Sequence, residues 1–225
     1  MSVTVILPAL NEAESIGQVL AAIPRDGVDE ILVVDGGSTD DTVAISEATG
    51  ARVVCEPRRG YGLACEQGVA AAWSDILVFL DADGANDPGQ IGQVVAPILA
   101  GQADLVLGSR LRGTIAPGAM PWHQRFGNWL AATLIARLYH IQVSDLGPFR
   151  AIRREALLGL GMQDLQYGYP TEMIVKAARK GLRVVEIPVS YHPRLGGRSK
   201  VSGTVRGTVR ATYGILRTIF RYAWR

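Results

Sequence analysis

Three acidic side chains follow an apolar run in the stretch ILVFLDADGAND, residues 76 to 87. Asp81 and Asp83 form a D-x-D pair directly after that run, and such paired carboxylates suit Mg²⁺ or Mn²⁺ shared with phosphate oxygens. Asp87 precedes Pro88, and aspartate at the N-cap with proline at the first helical position is a common helix start. The spacing predicts a metal site at Asp81 and Asp83 and a capping role for Asp87. A solvated loop is the alternative for the pair.

A second acidic loop, DGGSTDD, begins at Asp35. Asp40 and Asp41 fall where the next helix begins, and the helix dipole stabilises negative charge there. Asp35 instead ends an apolar run and precedes two glycines, which leave room for a flat ligand whose ribose hydroxyls or base N–H groups a carboxylate can bind. A nicotinamide cofactor would need a glycine-rich turn after the first strand, and PALNEAES has none. Asp35 is therefore a candidate ligand-binding carboxylate, and a dinucleotide cofactor is disfavoured.

The elements that must position these loops are short apolar runs alternating with helical patterns. The runs lie at residues 3–9, 30–35, 51–56, 75–81 and 103–109. Continuously apolar strands separated by helices predict an α/β fold with a mostly parallel sheet covered on both faces. Ligands of such sheets bind beyond the carboxyl ends of the strands, where PALNE, DGGSTDD and DADGAND all fall.

Further along, the pattern predicts helices at about 122–139 and 170–180, a last strand in RVVEIPVSY, and a helix at about 203–224. Near the start, Asn11 followed by Glu14 has the spacing of a helix-capping pair.

Length and composition are those of one folded domain. The chain has 225 residues, of which 48% are hydrophobic, and no run reaches the roughly 18–20 apolar residues of a membrane span. We expect a catalytic domain at residues 1–202, followed by a C-terminal helix at 203–225 that either belongs to it or contacts a membrane surface. The N-terminus lacks a signal-peptide pattern, which predicts a cytoplasmic protein. The two cysteines fit neither a disulfide framework nor a zinc site.

The charge distribution is uneven along the chain. Residues 1–186 carry 15 basic and 21 acidic side chains, whereas the remainder carries eight basic and none acidic. In the last segment Arg206, Arg210, Arg217 and Arg221 recur at helical spacing beside apolar residues, which predicts a basic amphipathic helix. Such a helix can lie at an anionic membrane surface, or it can pack on its own domain with its arginines in water. Nucleic-acid binding is disfavoured by the acidic loops.

Several motifs together resemble one known family. In order, they are ILPALNEAESI, ILVVDGGSTDDT, RGYGLACEQGV, FLDADG and LVLGSRLRG. This set resembles family 2 glycosyltransferases of the GT-A fold. The later segments DLGPFRAIRREAL, TEMIVKAARKGLRVVEIPVSY and GRSKVSGTVRG resemble the branch of polyprenyl-phosphate glycosyltransferases, such as the dolichyl-phosphate mannose synthases. The resemblance covers nearly the whole chain.

The resemblance implies roles for individual residues. The nucleoside would be held by Pro8, Ala9, Glu12 and Asp35. Asp81 and Asp83 would hold Mg²⁺ or Mn²⁺ and the donor diphosphate. Two positions depart from the family pattern: Gly36 stands where many relatives have a second acid, and Ala85 stands where they often have glutamine. A third metal ligand would then come from water, Asn86 or Asp87.

The acceptor determines which further groups are needed. A lipid phosphate has a second pKa near ~6, so it is already an anionic nucleophile at neutral pH and needs cations rather than a base. By the resemblance Arg110 and Arg125 would bind that phosphate and take part in catalysis, and arginine suits it by its planar fork of donors. Arg198, Ser199 and Lys200 could close over the diphosphate or the acceptor phosphate, or form a solvated basic turn.

These expectations combine into one leading function. It is a metal-dependent inverting transfer of a hexose from a GDP- or UDP-sugar to a polyprenyl phosphate, by a protein peripheral to the cytoplasmic membrane. One alternative transfers to a hydroxyl acceptor and would need Asp145 or Glu172 as base. A sugar-phosphate nucleotidyltransferase is disfavoured because its glycine-rich basic loop is missing, and an inactive lipid- or nucleotide-binding module is the remaining alternative. A separate membrane-anchoring partner stays open.

Overall fold

The computed structural model describes residues 1–197 and 205–223, and within them seven strands form one sheet. The strands are β1 (Val3–Ala9), β2 (Glu30–Asp35), β3 (Arg52–Cys55), β4 (Ile76–Phe79), β5 (Leu105–Ser109), β6 (Arg150–Arg153) and β7 (Val184–Pro188). Their order in the sheet is β3-β2-β1-β4-β6-β5-β7. Neighbours pair in parallel except at β6, which is antiparallel to both β4 and β5. The predicted mostly parallel sheet is confirmed.

Helices cover both faces of this sheet. They are α1 (Ile16–Ala22), α2 (Thr42–Ala48), α3 (Tyr61–Ala71), α4 (Ile91–Leu99), α5 (Trp122–Tyr139), α6 (Arg154–Leu160), α7 (Tyr169–Arg179) and α8 (Val205–Ala223). A short 3-10 turn, Pro88–Gln90, precedes α4.

Two apolar cores lie on opposite sides of the strands, because side chains alternate along a strand and a parallel sheet is buried on both faces. On one side Ile6 and Leu32 pack with the helices α3, α5, α6, α7 and α8. On the other, Val5 and Val33 pack with α1 and α4. This double burial explains why the strands appear in the sequence as unbroken apolar runs.

Strand β6 is absent from the sequence prediction because RAIR, with an arginine at each end, lacks the apolar run of a buried strand. It pairs with β4 so that Arg150 lies opposite Phe79. The Arg150 side chain is buried, and it donates hydrogen bonds to main-chain carbonyls, including that of Pro170 at 2.7 Å. The reversed direction of β6 brings the loop before it to the edge of the sheet where β4 ends.

Helix α1 begins at Ile16, later than the Asn11 and Glu14 pattern predicts. The Asn11 side chain does not cap α1; its oxygen accepts a hydrogen bond from the Thr39 main chain at 2.8 Å. The predicted cap is therefore wrong, and Asn11 joins the first loop to the second.

The C-terminal helix α8 packs against α5 and α7. Ile219 and Tyr222 are buried in the core, and the Tyr222 hydroxyl donates to Glu172 at 2.6 Å. In residues 1–197 and 205–223, no helix combines the length and the apolar character needed to cross a bilayer.

Candidate active site

Six loops meet at one end of the sheet, beyond the carboxyl ends of its parallel strands. Strands β1, β2, β4, β5 and β7 all end there, and β6 begins there because it runs the other way. The loops that follow or precede these strand ends span residues 9–12, 35–41, 80–87, 109–112, 145–149 and 189–197. The acidic loops of the first half of the chain are thereby placed beside basic segments of the second half.

The D-x-D pair lies in a turn that positions both carboxylates. Asp83 is buried, and its Oδ1 accepts a hydrogen bond from the Ala85 N–H at 2.9 Å. Gly84 has a φ of +73°, a conformation that glycine adopts without strain. Asp81 accepts from the Tyr61 hydroxyl at 3.3 Å, and burial together with the neighbouring Asp83 carboxylate raises the pKa of Asp81 to about 7. Two carboxylates that repel each other in a poorly solvated turn favour a bound cation.

The residues beside the pair fit a divalent ion. Asn86 is buried, and neither polar atom of its side chain has a hydrogen-bond partner in the part of the chain that the structure describes. Asp87 instead accepts from the Gly89 N–H at 2.9 Å, so its predicted capping role is confirmed. No three His, Cys, Asp or Glu side chains gather into a metal cluster within the described ranges. Two carboxylates with an unpaired amide match the Mg²⁺ pattern, in which substrate phosphates and water complete the shell.

The two loops at the ends of β1 and β2 are hydrogen-bonded to each other. Ala9, which is buried, accepts from the Gly36 N–H at 2.8 Å, and Glu12 donates its N–H to the Thr42 hydroxyl at 2.8 Å. Asp35 is buried and accepts from the N–H groups of its own turn. Pro8, the remaining predicted nucleoside contact, is partly exposed beside Ala9. The structure brings the four predicted nucleoside residues to one edge, and their nucleoside contacts stay predictions.

Arg110 is held in a buried ion pair. Its Nε and one terminal nitrogen bind the two oxygens of Asp145 at 2.8 and 2.7 Å, and the guanidinium lies 4.9 Å from the centre of the Tyr191 ring. The Arg110 side chain is 14% exposed and that of Asp145 is 0% exposed. Burial opposes the charge, but the hydrogen bonds to Asp145 raise the pKa of Arg110 above its ordinary value. Arg110 therefore has a structural role in addition to any contact with phosphate.

Neither carboxylate considered as a base is positioned for proton transfer. Asp145 is fully buried against Arg110. Glu172 is also fully buried and binds Lys176 at 2.7 Å and the Tyr222 hydroxyl. Burial alone would raise the pKa of Glu172, but the hydrogen bonds from Lys176 and Tyr222 hold this pKa below its ordinary value. Both side chains stabilise the fold.

Arg125, another residue predicted to bind phosphate, is not placed in contact with Arg110 within the part of the chain that the structure describes. It is exposed on the first turn of α5. Arg198, Ser199 and Lys200 lie outside the described residues, so their predicted role stays a prediction.

Sequence reasoning missed three side chains of this edge. Tyr61 donates to Asp81, Tyr191 lies under Arg110, and Arg194 binds Asp83 at 2.5 Å. Tyr61 falls within a motif of the family resemblance, RGYGLACEQGV, which was its only available signal. Tyr191 likewise ends the segment TEMIVKAARKGLRVVEIPVSY, whereas nothing in the spacing of HPRLGG marks Arg194, because its role depends on loops brought together by the fold.

Comparison with known proteins agrees with this geometry. The model of the glycosyl transferase family 2 matches residues 4–160. A protein of Mycobacterium tuberculosis described as an uncharacterised glycosyltransferase is 48% identical over 208 residues, which cover 92% of this chain and 93% of the relative. An undecaprenyl-phosphate mannosyltransferase of Micrococcus luteus is 30% identical, with 92% and 90% covered. A dolichyl-phosphate hexose transferase of Haloferax volcanii is 34% identical, with 85% and 83% covered.

The solved structures point to the same fold. Glucosyl-3-phosphoglycerate synthase from Mycobacterium tuberculosis, crystallised with Mn²⁺, UDP and glucosyl-3-phosphoglycerate, superposes with a TM-score of 0.77 at 28% identity. The match covers 99% of this chain and 80% of that one. The predicted GT-A fold is confirmed, and the sequence, the fold and the acidic edge of the sheet agree that this chain belongs to the family 2 glycosyltransferases.

Proposed function

We propose that this glycosyltransferase moves a hexose from a GDP- or UDP-sugar to a polyprenyl phosphate, with Mg²⁺ or Mn²⁺, at the cytoplasmic face of a membrane. The observation that carries the acceptor class is the state of the two candidate bases. Asp145 and Glu172 are both fully buried and ion-paired, which disfavours either as the base that a hydroxyl acceptor would require. A phosphate acceptor needs no base. Relatives named as polyprenyl-phosphate transferases support the same class.

The residues divide into a donor side and an acceptor side. Asp81 and Asp83 would hold the divalent ion, which supplies charge stabilisation for the leaving diphosphate. Glu12 and Asp35, with Pro8 and Ala9, would position the nucleoside at the ends of β1 and β2. Arg110 lies beside this site, since its guanidinium is 4.9 Å from the centre of the Tyr191 ring and the main chain of Tyr191 is bridged to Asn86. Arg110 and Arg125 would position the acceptor phosphate, an anion that approaches from the side opposite the leaving group in an inverting displacement.

The membrane surface is the second partner, and the exposed faces of α5 and α8 support it. Neither helix contains an acidic residue, and each carries arginines. On α5 the side chains of Trp122, Phe126 and Trp129 are 79%, 56% and 55% exposed. Their spacing of four and three residues puts them on one face of the helix. Exposed aromatic residues on a basic, acid-free surface are suited to an anionic lipid interface.

The membrane contact is tested with a double variant of α5. Trp122→Ser with Trp129→Ser should weaken binding to vesicles containing phosphatidylglycerol by about tenfold or more, because burial of each exposed indole contributes on the order of 1 kcal/mol. Binding is measured by co-sedimentation. Truncating α8 is less informative, because Ile219 and Tyr222 belong to the core.

The matched control for this test is Trp73→Ser. Trp73 is 60% exposed between α3 and β4, before the start of β4 and so at the end of the sheet opposite the site. Its replacement should leave vesicle binding at the wild-type level. Equal binding by the double variant and the wild type would contradict the α5 contact.

The reaction is tested with labelled UDP-glucose and GDP-mannose, Mn²⁺, and undecaprenyl phosphate dispersed in detergent. We expect label to enter the organic phase from one donor and to be released by mild acid, as a glycosyl phosphate is. A metal chelator should abolish the product. Label that appears only in water-soluble, alkali-stable glycosides would contradict the lipid-phosphate acceptor.

A hydroxyl acceptor is the second candidate. It is favoured by the structural likeness to glucosyl-3-phosphoglycerate synthase, which was crystallised with UDP-glucose and phosphoglyceric acid. Adding 3-phosphoglycerate in place of the lipid to the same assay distinguishes the two. Transfer to 3-phosphoglycerate alone would establish the second candidate.

A further inference from the structure

The guanidinium of Arg194 bridges two carboxylates from different loops. One terminal nitrogen lies 2.5 Å from Asp83 Oδ2, and the other lies 2.9 Å from both oxygens of Glu12. The Arg194 side chain is 24% exposed, whereas those of Glu12 and Asp83 are 10% and 11% exposed. One cation is thus shared between an acidic group from the β1 loop and one from the D-x-D turn.

The segment around Arg194, residues 191–197, lies directly across the D-x-D turn. Leu195 donates its N–H to the Asp83 carbonyl at 3.0 Å, and His192 donates to the Ala85 carbonyl at 2.8 Å. The Leu195 side chain covers Gly84 so closely that a β-carbon there would overlap it. The main chain therefore holds Arg194 in place from both sides.

Each oxygen of the Asp83 carboxylate already accepts a hydrogen bond. Oδ1 accepts from the Ala85 N–H and Oδ2 accepts from Arg194. Mg²⁺ would lie about 2.0–2.1 Å from a ligating carboxylate oxygen, and the Arg194 guanidinium nitrogen already lies 2.5 Å from Oδ2. At these distances the ion and the guanidinium also repel each other. Arg194 in this position therefore opposes the binding of an ion at Asp83.

We propose that Arg194 and the divalent ion are competing occupants of Asp83, so that Arg194 lowers the affinity for free metal until the donor arrives. This inference rests on the proposed function, in which Asp83 is a metal ligand. Arg194 offsets part of the negative charge of the two carboxylates in the absence of the donor, and the phosphate oxygens of a nucleotide sugar add ligands that favour the ion. Metal and donor binding are thereby coupled.

The experiment titrates the protein with Mn²⁺ in the absence of nucleotide and measures the free ion by electron paramagnetic resonance. Binding is the difference between total and free Mn²⁺, so no turnover is needed. Arg194→Ala should bind Mn²⁺ roughly tenfold more tightly than the wild type, within the usual range of coupling between two binding events. Arg194→Lys keeps the charge but cannot bind both carboxylates through a planar guanidinium, so its Mn²⁺ affinity should lie between those of the wild type and Arg194→Ala. It replaces the alanine variant in the test if that variant does not fold. Thermal unfolding establishes that each variant is folded.

Arg52→Ala is the matched control. Arg52 also pairs an exposed guanidinium with a buried glutamate, Glu30, at 2.9 Å, but at the start of β3, away from the site. Its Mn²⁺ affinity should equal that of the wild type.

The outcomes separate the inference from the function on which it rests. If Asp83→Asn abolishes Mn²⁺ binding but Arg194→Ala binds Mn²⁺ as tightly as the wild type or more weakly, the proposed competition is wrong and the metal assignment stands. Absence of Mn²⁺ binding in every variant, with or without a nucleoside diphosphate, would overturn the metal assignment and the competition together.

Discussion

Asp83→Asn is expected to lower metal-dependent sugar transfer by about 10³-fold or more, because it would remove a charged ligand of the ion proposed to stabilise the leaving diphosphate. The asparagine matches the size of aspartate and can still accept from the Ala85 N–H, so the turn should persist. The measurement compares initial rates at saturating Mn²⁺ and donor, with Mn²⁺ affinity measured in parallel.

The control for this variant is the same chemical change at Asp87. Asparagine caps helices about as well as aspartate, so Asp87→Asn should keep its bond to the Gly89 N–H and nearly full activity. Retained metal-dependent activity in Asp83→Asn would refute the site assignment. An equal loss in Asp87→Asn would show that Asp87 is also a metal ligand.

Arg110→Ala is expected to destabilise the fold by roughly 3–5 kcal/mol, because it leaves the buried Asp145 carboxylate without its bidentate partner. That loss is a large fraction of the total stability of a typical domain. Urea unfolding followed by circular dichroism measures it. The double variant Arg110→Ala with Asp145→Ala should be less destabilised than the sum of the single variants, since no charge is then left unpaired.

The variant Arg125→Ala distinguishes the role of Arg125 from the structural role of Arg110. Because Arg125 is exposed, its replacement should change the free energy of unfolding by less than about 0.5 kcal/mol while lowering transfer to the lipid phosphate.

Unfolding of Arg110→Ala at the same urea concentration as the wild type would show that the ion pair between Arg110 and Asp145 does not stabilise the fold.

The sequence predicts the strands and acidic loops of the first half of the chain better than the contacts made by the second half, for a physical reason. Strands β1 and β2 and helix α5 have the predicted bounds, since long apolar or helical patterns specify local structure directly. The D-x-D turn follows from its position after a buried strand. Asp87 follows from capping chemistry alone, because its partner is only two residues away.

The remaining contacts depend on tertiary structure. The reversed strand β6 has no local signal, yet its direction places Asp145 beside Arg110. Asn11 has the spacing of a cap, but the nearby β2 loop offers it a different partner. Arg194 binds a glutamate 182 residues earlier, and no pattern within a short window can indicate such a pair.

This long separation also orders the assembly of the site during synthesis. Asp83 is made 111 residues before Arg194, and the central strands β1, β2 and β4 precede the edge strand β7 in the chain. Contacts between distant residues form slowly, because the intervening chain must first be closed into a loop. A ribosome-bound chain that has completed only its first 190 residues therefore carries the acidic turn without its arginine, and the ion pair can form only after the segment that contains Arg194 has been synthesised.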